Sequence, residues 1–363
     1  MVIAIDSSSA EKPQRTGVEE YAFQLIESFK KQSLGEGNSL VLFSPTKLNW
    51  FFKKGWMQFR VTWELFRRPP AVFFVPGQGL PFFISKKIKV ATTIHDVGFC
   101  SRPDLYRSSE VGRQKSATRR AVKRADIIFV PSDFTKKQLV QFFHAKPEKI
   151  KVIPLAADKI FIQQNKEAIE PILNKYRLGY KNYFLFVGRI EAKKNPIVLI
   201  PAFNEFKKNM GFGDPMRLVF AGPASWRSLE AKKAAAESPY KNFISWIDFV
   251  PREDLPGLMS GARALVAPSW YEGFGLTPLE AAASGTPTIV SDIPAHHEVM
   301  DNTAVFVLPM ASEDWSTALT RAAREPMVMS ELSTKALERV KQFSWETTTK
   351  NTWEELWNLL PKS

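Results

Sequence analysis

The chain has 363 residues, of which 44% are hydrophobic and 24% charged, the balance of a soluble globular protein. That length exceeds one ordinary hydrophobic core and suits two domains. No run of 18 or more uncharged apolar residues occurs, which disfavours a membrane-spanning helix. The first residues, MVIAIDSSS, are predicted to form a strand and not a signal peptide. The single cysteine, Cys100, excludes an internal disulfide and fits a reducing cytoplasm.

The net charge of +13 lies entirely in the first part of the chain. Residues 1–155 contain 26 Lys and Arg against 13 Asp and Glu, whereas residues 156–363 contain 24 of each kind. A basic surface suits an anionic partner, such as nucleic acid, acidic lipid headgroups or a phosphorylated substrate. Solvated basic faces of helices would explain the same excess equally well.

Short runs of Val, Ile and Phe alternate with amphipathic segments, which is the pattern of parallel βαβ units. In the first half, strands are predicted at residues 2–6, 40–44, 72–75, 89–95, 126–131 and 151–155. Helices are predicted at residues 18–31 and 109–124, and a third is predicted to be capped by Ser132 and to extend to Phe143.

Residues 158–178 are polar and weakly patterned, which favours a linker. The alternation then restarts, with strands predicted at residues 183–188, 217–221, 244–249, 264–268, 288–291 and 304–308, and helices after Glu313. The predicted fold class is therefore α/β, with two Rossmann-like doubly wound domains facing across a cleft. The domains are expected at residues 1–165 and 166–342. Residues 343–363 are expected to form a helix that packs back toward the N-terminal domain.

The stretch YEGFGLTPLEAAASGTP, residues 271–287, carries two glutamates, Glu272 and Glu280, on either side of a glycine turn. Gly273 and Gly275 allow a tight turn and the close approach of a ligand to the backbone. Each carboxylate can accept hydrogen bonds from two neighbouring hydroxyls of a sugar ring. Glu280 alone would also be explained as an acid that complements a helix dipole.

The same stretch predicts a helix that begins at Thr277 and Pro278 and ends at Gly285. A helix N-terminus behind a glycine turn is a natural phosphate site. A phosphate between two hydroxyl-binding carboxylates indicates a nucleotide sugar.

A second stretch, YFLFVGRIEAKKNP at residues 183–196, places Arg189, Lys193 and Lys194 after a predicted strand. Cations at the C-terminal end of a strand suit a diphosphate, although exposed loop charges are equally compatible with the sequence. No D-x-D or P-loop pattern occurs, so no metal and no cofactor are expected.

Two further signals are weaker. In ATTIHDVGF, His95 follows a strand and could donate to a sugar hydroxyl or a phosphate, but a turn in which Asp96 satisfies the histidine explains the motif as well. Gly17 lies between the first strand and its helix. The histidines of AHHEVM lack zinc spacing, so no metal site is predicted there.

Taken in order, these segments resemble the retaining nucleotide-sugar-dependent glycosyltransferases of family 4, which have the GT-B fold, and in particular a bacterial mannosyltransferase-like branch. The similarity covers nearly the whole chain and is most specific in residues 248–299, where Glu272 and Glu280 match the family's E-x7-E motif. The resemblance implies an acceptor-binding N-terminal domain and a C-terminal domain that binds the nucleotide sugar. It also implies retention and metal independence.

The resemblance assigns roles to individual residues. His95, Arg189, Lys194 and Glu272 would form the catalytic set, in which His95 contacts the donor sugar, Arg189 and Lys194 hold the diphosphate, and Glu272 binds the transferred sugar. The residues expected to bind the donor are Gly17, Gly273, Phe274, Gly275, Leu276, Thr277 and Glu280, the last through the ribose.

The expected activity is transfer of a sugar from GDP-mannose or a UDP-hexose to a glycan or lipid-linked acceptor in polysaccharide assembly. The expected location is cytoplasmic and peripheral at the inner face of the membrane, because the basic N-terminal half and the aromatic segment 50–68 suit an anionic surface. The alternatives are a phosphorylase or nucleotide-sugar epimerase of the same fold, or a basic nucleic-acid-binding protein with a vestigial sugar site. Nucleic acid is disfavoured as a partner because no binding motif for it occurs.

Overall fold

The computed structural model describes residues 1–12, 15, 17–32, 37–50, 55–211 and 213–361. It divides into two compact units, one formed by Met1–Leu155 with Ser344–Ser363 and the other by Ala156–Phe343. The observed division after Leu155 comes earlier than the expected one after residue 165.

In the first unit, the described residues form a six-stranded parallel sheet with the order β2-β1-β3-β4-β5-β6. Its strands are β1 (Val2–Asp6), β2 (Ser39–Phe43), β3 (Val72–Val75), β4 (Lys89–Thr93), β5 (Ile127–Val130) and β6 (Ile150–Val152). Strands β3 and β5 are buried along their whole length, as expected for a parallel sheet covered by helices on both faces.

The helices of this unit follow the predicted alternation. They are α1 (Gly17–Phe29), α2 (Thr62–Arg67), α3 (Gly98–Ser101), α4 (Ser108–Arg124) and α5 (Asp133–Phe143), and a π-helical turn, Trp56–Val61, leads into α2. The predicted cap of α5 is confirmed, because the Ser132 hydroxyl accepts a hydrogen bond from the Thr135 amide at 3.0 Å. Of the aromatic segment 50–68, residues 51–54 lie outside the described residues.

In the second unit, the described residues form another six-stranded parallel sheet, with the order β12-β11-β10-β7-β8-β9. Its strands are β7 (Tyr183–Val187), β8 (Arg217–Ala221), β9 (Ile244–Ile247), β10 (Ala264–Ala267), β11 (Thr288–Ser291) and β12 (Val305–Val307). Strands β8 and β9 follow β7 on one side of the sheet, whereas β11 and β12 follow β10 on the other side. The strand order therefore reverses between the neighbours β7 and β10. The predicted α/β class, with two Rossmann-like doubly wound units, is confirmed.

The helices of the second unit include one that the sequence did not predict. They are α6 (Lys166–Lys175), α7 (Leu199–Met210), α8 (Ser228–Glu237), α9 (Leu255–Gly261), α10 (Leu276–Ala283), α11 (Pro294–Met300), α12 (Ser312–Arg324) and α13 (Pro326–Val340). Helix α6 lies within the segment predicted as a linker, so that prediction was wrong for these residues.

Helix α6 forms because it has a narrow apolar stripe that its many charged residues conceal. Ile169 and Leu173, four residues apart, are buried against α9. The packing is close because α9 presents glycines: a Cβ added at Gly257 would lie 2.5 Å from Ile172 Cδ1, and one added at Gly261 would lie 2.8 Å from Leu173 Cδ2. Because glycine has no side chain at these two positions, α6 can pack closely against α9.

The last helix, α14 (Trp345–Asn358), belongs to the first unit, where it packs on α1. The Phe29 and Trp353 rings are 5.0 Å apart between centroids, and the Thr348 hydroxyl donates to the Pro154 carbonyl at 2.7 Å. No helix in the described part of the chain combines the length and apolarity needed to cross a bilayer.

Candidate functional site

The candidate site lies in the second unit, where β7 and β10 end side by side at the reversal of strand order. Doubly wound sheets bind ligands beyond the C-terminal ends of the strands at such a point. The loops that leave these two strands, residues 188–195 and 268–275, contain most of the predicted donor-site residues. The loops are joined directly, because the Trp270 amide donates to the Lys193 carbonyl at 2.9 Å.

The carboxylate of Glu272 is the centre of the polar contacts between these loops. Its Oε1 atom accepts a hydrogen bond from Lys194 Nζ at 2.6 Å and another from the Ser269 hydroxyl at 2.7 Å. Within the described residues, Oε2 has no hydrogen-bond partner. The side chain is thus held through one oxygen while the second oxygen can accept from a ligand hydroxyl.

The electrostatic setting keeps Glu272 ionised. Burial by itself would raise the pKa of this carboxyl, but the positive charges of Lys194 and Lys193 outweigh that effect and lower the pKa of Glu272 to about 2. At neutral pH the residue is therefore a pure hydrogen-bond acceptor, which suits it to sugar hydroxyls.

The predicted diphosphate cations differ in their surroundings. Lys194 is mostly buried and paired with Glu272, a contact that the sequence did not predict. Arg189 is exposed on the same loop, and no side chain among the described residues holds its guanidinium. The roles of Arg189 and Lys194 toward a diphosphate stay predictions. No cluster of three or more His, Cys, Asp or Glu residues that could hold a metal ion occurs in the described ranges.

Helix α10 begins earlier than predicted, immediately after the glycine turn. Gly275 has a φ of +118° and occupies the cap position, so the helix begins at Leu276 and Thr277 is not its cap. The prediction that Thr277 and Pro278 open the helix was therefore wrong, because the left-handed backbone of Gly275 already completes the turn. The amides of Leu276 and Thr277 remain at the open end of the helix, where a phosphate would be stabilised.

Glu280 lies in the second turn of α10 and is buried. Because the field of a helix dipole fades within the first turn, the dipole explanation of this acid loses its support. Its charged neighbour is Arg252, whose Nη2 atom lies 4.0 Å from Glu280 Oε1 and 3.1 Å from Asp158 Oδ2. Arg252 thus links two acids beside the glycine turn, and no sequence motif predicts this arrangement.

The other residues of the turn are fixed by packing. Phe274 is buried, and its ring meets that of Phe343 edge-on with centroids 5.9 Å apart. Its side chain anchors the turn, while the predicted backbone contacts of Gly273, Phe274, Gly275 and Leu276 stay predictions.

His296, for which the sequence predicts no role, lies directly beneath the turn. It is fully buried, and its Nδ1 atom is 2.9 Å from the Ser291 carbonyl. A Cβ placed on Gly275 would be 3.2 Å from His296 Cδ2, which is closer than most carbon contacts, so the turn fits tightly over the imidazole. Burial lowers the pKa of His296, so the ring is neutral. Its Nδ1 atom therefore donates to the Ser291 carbonyl, and its Nε2 atom is an acceptor that has no partner among the described residues. The contact between His296 on α11 and Gly275 before α10 is known only from the fold, because the two residues are brought together there.

The two predicted site residues of the first unit have their own local settings. Gly17 is the first residue of α1. His95 Nε2 lies 3.3 Å from the Pro76 carbonyl, its ring meets the Tyr21 ring edge-on at 4.8 Å between centroids, and burial lowers its pKa. The Asp96 carboxylate accepts a hydrogen bond from the Gly98 amide at 3.1 Å. The roles of Gly17 and His95 toward a donor stay predictions.

Two family models match the chain. The one described as "Glycosyltransferase Family 4" matches residues 36–159, and the one described as "Glycosyl transferases group 1" matches residues 169–342. The chain is 26% identical over 293 residues to O-antigen chain mannosyltransferase B of Escherichia coli, covering 81% of this chain and 76% of that protein. It is 31% identical over 240 residues to O-antigen chain mannosyltransferase RfbU of Salmonella typhimurium, covering 66% of this chain and 62% of that one.

Solved structures of several proteins share the fold of the entire chain. Sucrose-phosphate synthase from Thermosynechococcus elongatus has a TM-score of 0.78 at 17% identity, covering 99% of both chains. HepE from Anabaena in complex with UDP-glucose has a TM-score of 0.78 at 15% identity, covering 99% of this chain and 100% of that one. WaaG, a glycosyltransferase involved in lipopolysaccharide biosynthesis, has a TM-score of 0.75 at 13% identity, covering 98% and 99%. These likenesses show the fold, which is GT-B.

Proposed function

This chain belongs to glycosyltransferase family 4, and we propose that it transfers a sugar from a nucleotide sugar to a glycan or lipid-linked acceptor in polysaccharide assembly. The observation that carries the proposal is the arrangement around Glu272. One carboxylate oxygen accepts hydrogen bonds from Lys194 and Ser269, and the other has no hydrogen-bond partner among the described residues. That geometry offers an oriented acceptor for sugar hydroxyls next to cations for a diphosphate.

Each part of the donor has a matching part of the site. Glu272 binds hydroxyls of the transferred sugar through its second oxygen. Lys194 and Arg189 neutralise the diphosphate, together with the open amides of Leu276 and Thr277 at the start of α10. Glu280, fixed beside Arg252, accepts from the ribose hydroxyls.

The donor proposed first is GDP-mannose, and a UDP-hexose is the second choice. The names of the Escherichia coli and Salmonella relatives, both mannosyltransferases, support mannose. The complex of HepE with UDP-glucose supports a UDP-hexose for this fold. The O-antigen relatives also support a polysaccharide precursor as acceptor.

The proposed reaction retains the configuration of the sugar and needs no metal. The bond between C1 of the sugar and the diphosphate oxygen breaks, and C1 bonds to the acceptor oxygen on the same face. The acceptor's proton passes to an oxygen of the leaving diphosphate. Lys194 and Arg189 supply the positive charge that stabilises this leaving group in the transition state. We place the reaction in the cytoplasm, peripherally at the inner face of the membrane.

The test supplies the purified protein with labelled GDP-mannose or UDP-glucose and a lipid-linked oligosaccharide acceptor, with and without EDTA. The expected result is labelled product from one donor, with the anomeric configuration of that donor and at the same rate in EDTA. An inverted product would overturn retention, and loss of activity in EDTA would overturn metal independence. Release of sugar phosphate that requires inorganic phosphate, or conversion of one donor into another without acceptor, would replace the proposal by a phosphorylase or an epimerase.

A further inference from the structure

The helical segment that includes the π-helical turn and α2 exposes an apolar stripe on its outer side. Phe59, Trp63 and Phe66 follow one another at four- and three-residue spacing and are 70%, 56% and 83% exposed. The opposite side of the segment is also apolar, with Val61 and Leu65 buried in the core of the first unit. The outer stripe is therefore not needed to attach the helix to its own unit.

A neighbouring loop extends the same surface. Phe82 and Phe83 are 58% and 78% exposed. The loop is fixed to the helical segment through Gln58, whose Oε1 atom accepts from the Phe82 amide at 2.7 Å and whose Nε2 atom donates to the Leu80 carbonyl at 3.4 Å. Two neighbouring segments of the first unit thus expose five large apolar side chains.

Positive charge lies against these aromatic rings. The Arg120 guanidinium on α4 lies 4.6 Å from the centroid of the Phe82 ring, and Arg124 on the same helix donates to the carbonyls of Ser85 and Ile88 at 2.8 and 2.6 Å. Residues 65–95 and 111–125 contain no Asp or Glu at all. The exposed cations in these segments include Arg67, Arg68, Lys86, Lys87, Arg119 and Lys123.

We propose that this aromatic–basic face, formed by Phe59, Trp63, Phe66, Phe82 and Phe83 with the cations just named and Arg120, binds the surface of a bilayer that contains anionic lipids. Several large exposed apolar side chains on neighbouring segments indicate an interaction site. The phenylalanines enter the boundary between headgroups and acyl chains, while the arginines and lysines pair with lipid phosphates. The two segments without acids give the face a positive charge that is complementary to an anionic surface.

This inference deepens the proposed function and rests on it for its setting, since a lipid-linked acceptor is presented at a membrane. The binding test contains neither a nucleotide sugar nor a sugar acceptor. A failure to bind vesicles can therefore be distinguished from a failure to transfer a sugar. The purified protein is mixed with vesicles of phosphatidylcholine, or of phosphatidylcholine and phosphatidylglycerol, and the bound fraction is measured by flotation at low salt.

Wild type is expected to float with the anionic vesicles only. The double variant Phe59→Ser/Phe66→Ser, and separately Phe82→Ser/Phe83→Ser, should weaken binding by about tenfold or more for each pair. Lys86→Gln/Lys87→Gln should weaken it by about fivefold for each charge removed. The matched control is Met310→Ser/Met327→Ser, which removes two exposed apolar side chains of the second unit and should leave binding unchanged.

Because all these side chains are exposed, the variants should fold as wild type does, which circular dichroism checks. The proposal is overturned if wild type does not bind anionic vesicles at low salt, or if the aromatic variants bind as well as the methionine control. It is also overturned if the same face is instead required for binding a single-stranded oligonucleotide, or for dimer formation in light scattering, without vesicle binding.

Discussion

The Nζ atom of Lys194 lies 2.6 Å from Oε1 of Glu272, so the residue expected to hold a diphosphate and the residue expected to bind a sugar are themselves an ion pair. The pair joins the loops after β7 and β10 and fixes the direction of the carboxylate. In the proposed function the pair would couple sugar binding to diphosphate binding, because a change in one partner alters the charge and position of the other.

Replacement of Lys194 by Gln should lower kcat/KM for transfer by about 10²–10³-fold. The variant removes the cation that we propose faces the leaving diphosphate, whose charge develops in the transition state. The measurement is steady-state transfer with the donor that supports activity in wild type. Lys341→Gln is the control, since Lys341 is exposed and forms an ion pair with the exposed Glu338. Activity of the Lys194 variant within a few-fold of that control would contradict the assignment.

The pair should also be visible in the pH dependence of stability. The pKa of Glu272 is lowered from 4.5 to about 2 in the folded protein, so its ionised form stabilises the fold. This contribution is complete above pH 4.5 and is lost as the pH falls from 4.5 toward 2, because the unfolded chain takes up the proton first. The difference in unfolding free energy between wild type and Glu272→Gln should therefore shrink by about 2 kcal/mol from neutral pH to about pH 3.

Urea unfolding at a series of pH values measures this difference. Glu253→Gln, at an exposed acid on the same unit, is the control for the loss of one carboxylate. A constant difference between wild type and Glu272→Gln across that range would mean that Lys194 does not hold the carboxylate ionised.

The close fit of the glycine turn over His296 predicts that Gly275→Ala destabilises the protein by about 1–3 kcal/mol. The backbone at this position has a φ of +118°, and the added methyl group would lie 3.2 Å from the imidazole. Gly213→Ala is the matched control, because a Cβ there meets nothing within 4 Å. Chemical denaturation measures both variants, and equal stability of the two would show that the turn is not constrained.

The buried Nε2 atom of His296 should matter for ligand binding separately from the bond that Nδ1 makes. In His296→Asn the side-chain amide can still donate to the Ser291 carbonyl, whereas in His296→Gln an amide oxygen can reach the place of Nε2. An unsatisfied buried acceptor costs about 1–3 kcal/mol, so we expect the turn to supply a donor to it when a ligand binds. Nucleotide affinity should then fall further in the Asn variant than in the Gln variant. If calorimetry shows that nucleotide affinity falls further in the Gln variant than in the Asn variant, the role of His296 is purely structural.

The elements of the fold were largely predictable because parallel strands that are buried on both faces are short apolar runs. Strand β3 and strand β11 have the predicted bounds. Helix α6 was missed because its buried residues, Ile169 and Leu173, are too few to outweigh its charged ones, and the glycines that receive it lie in α9, far along the chain. The start of α10 was misplaced because the left-handed φ of Gly275 is a property of the folded backbone that composition does not encode.

For the site, the sequence identified residue types but not their pairing. Glu272, Glu280 and Lys194 were found because carboxylates and cations beside glycine turns have a recognisable chemistry. The contact of Lys194 with Glu272 joins residues 78 positions apart, and only the adjacency of β7 and β10 creates it. Arg252 and His296 carried no local motif, so their positions beside Glu280 and Gly275 could be known only from the fold.

The central claim, that the second unit binds a nucleotide through Glu280 and the glycine turn, is tested most directly by thermal unfolding with UDP, GDP, ADP and dTDP. A ligand at about 100 times its dissociation constant stabilises the native state by about 2.7 kcal/mol, which is a measurable rise in Tm. We predict that one of the four raises the Tm of wild type and of the exposed-site control Glu253→Ala, and that the rise is lost in Glu280→Ala. No rise with any nucleotide, or an equal rise in Glu280→Ala, would contradict the account.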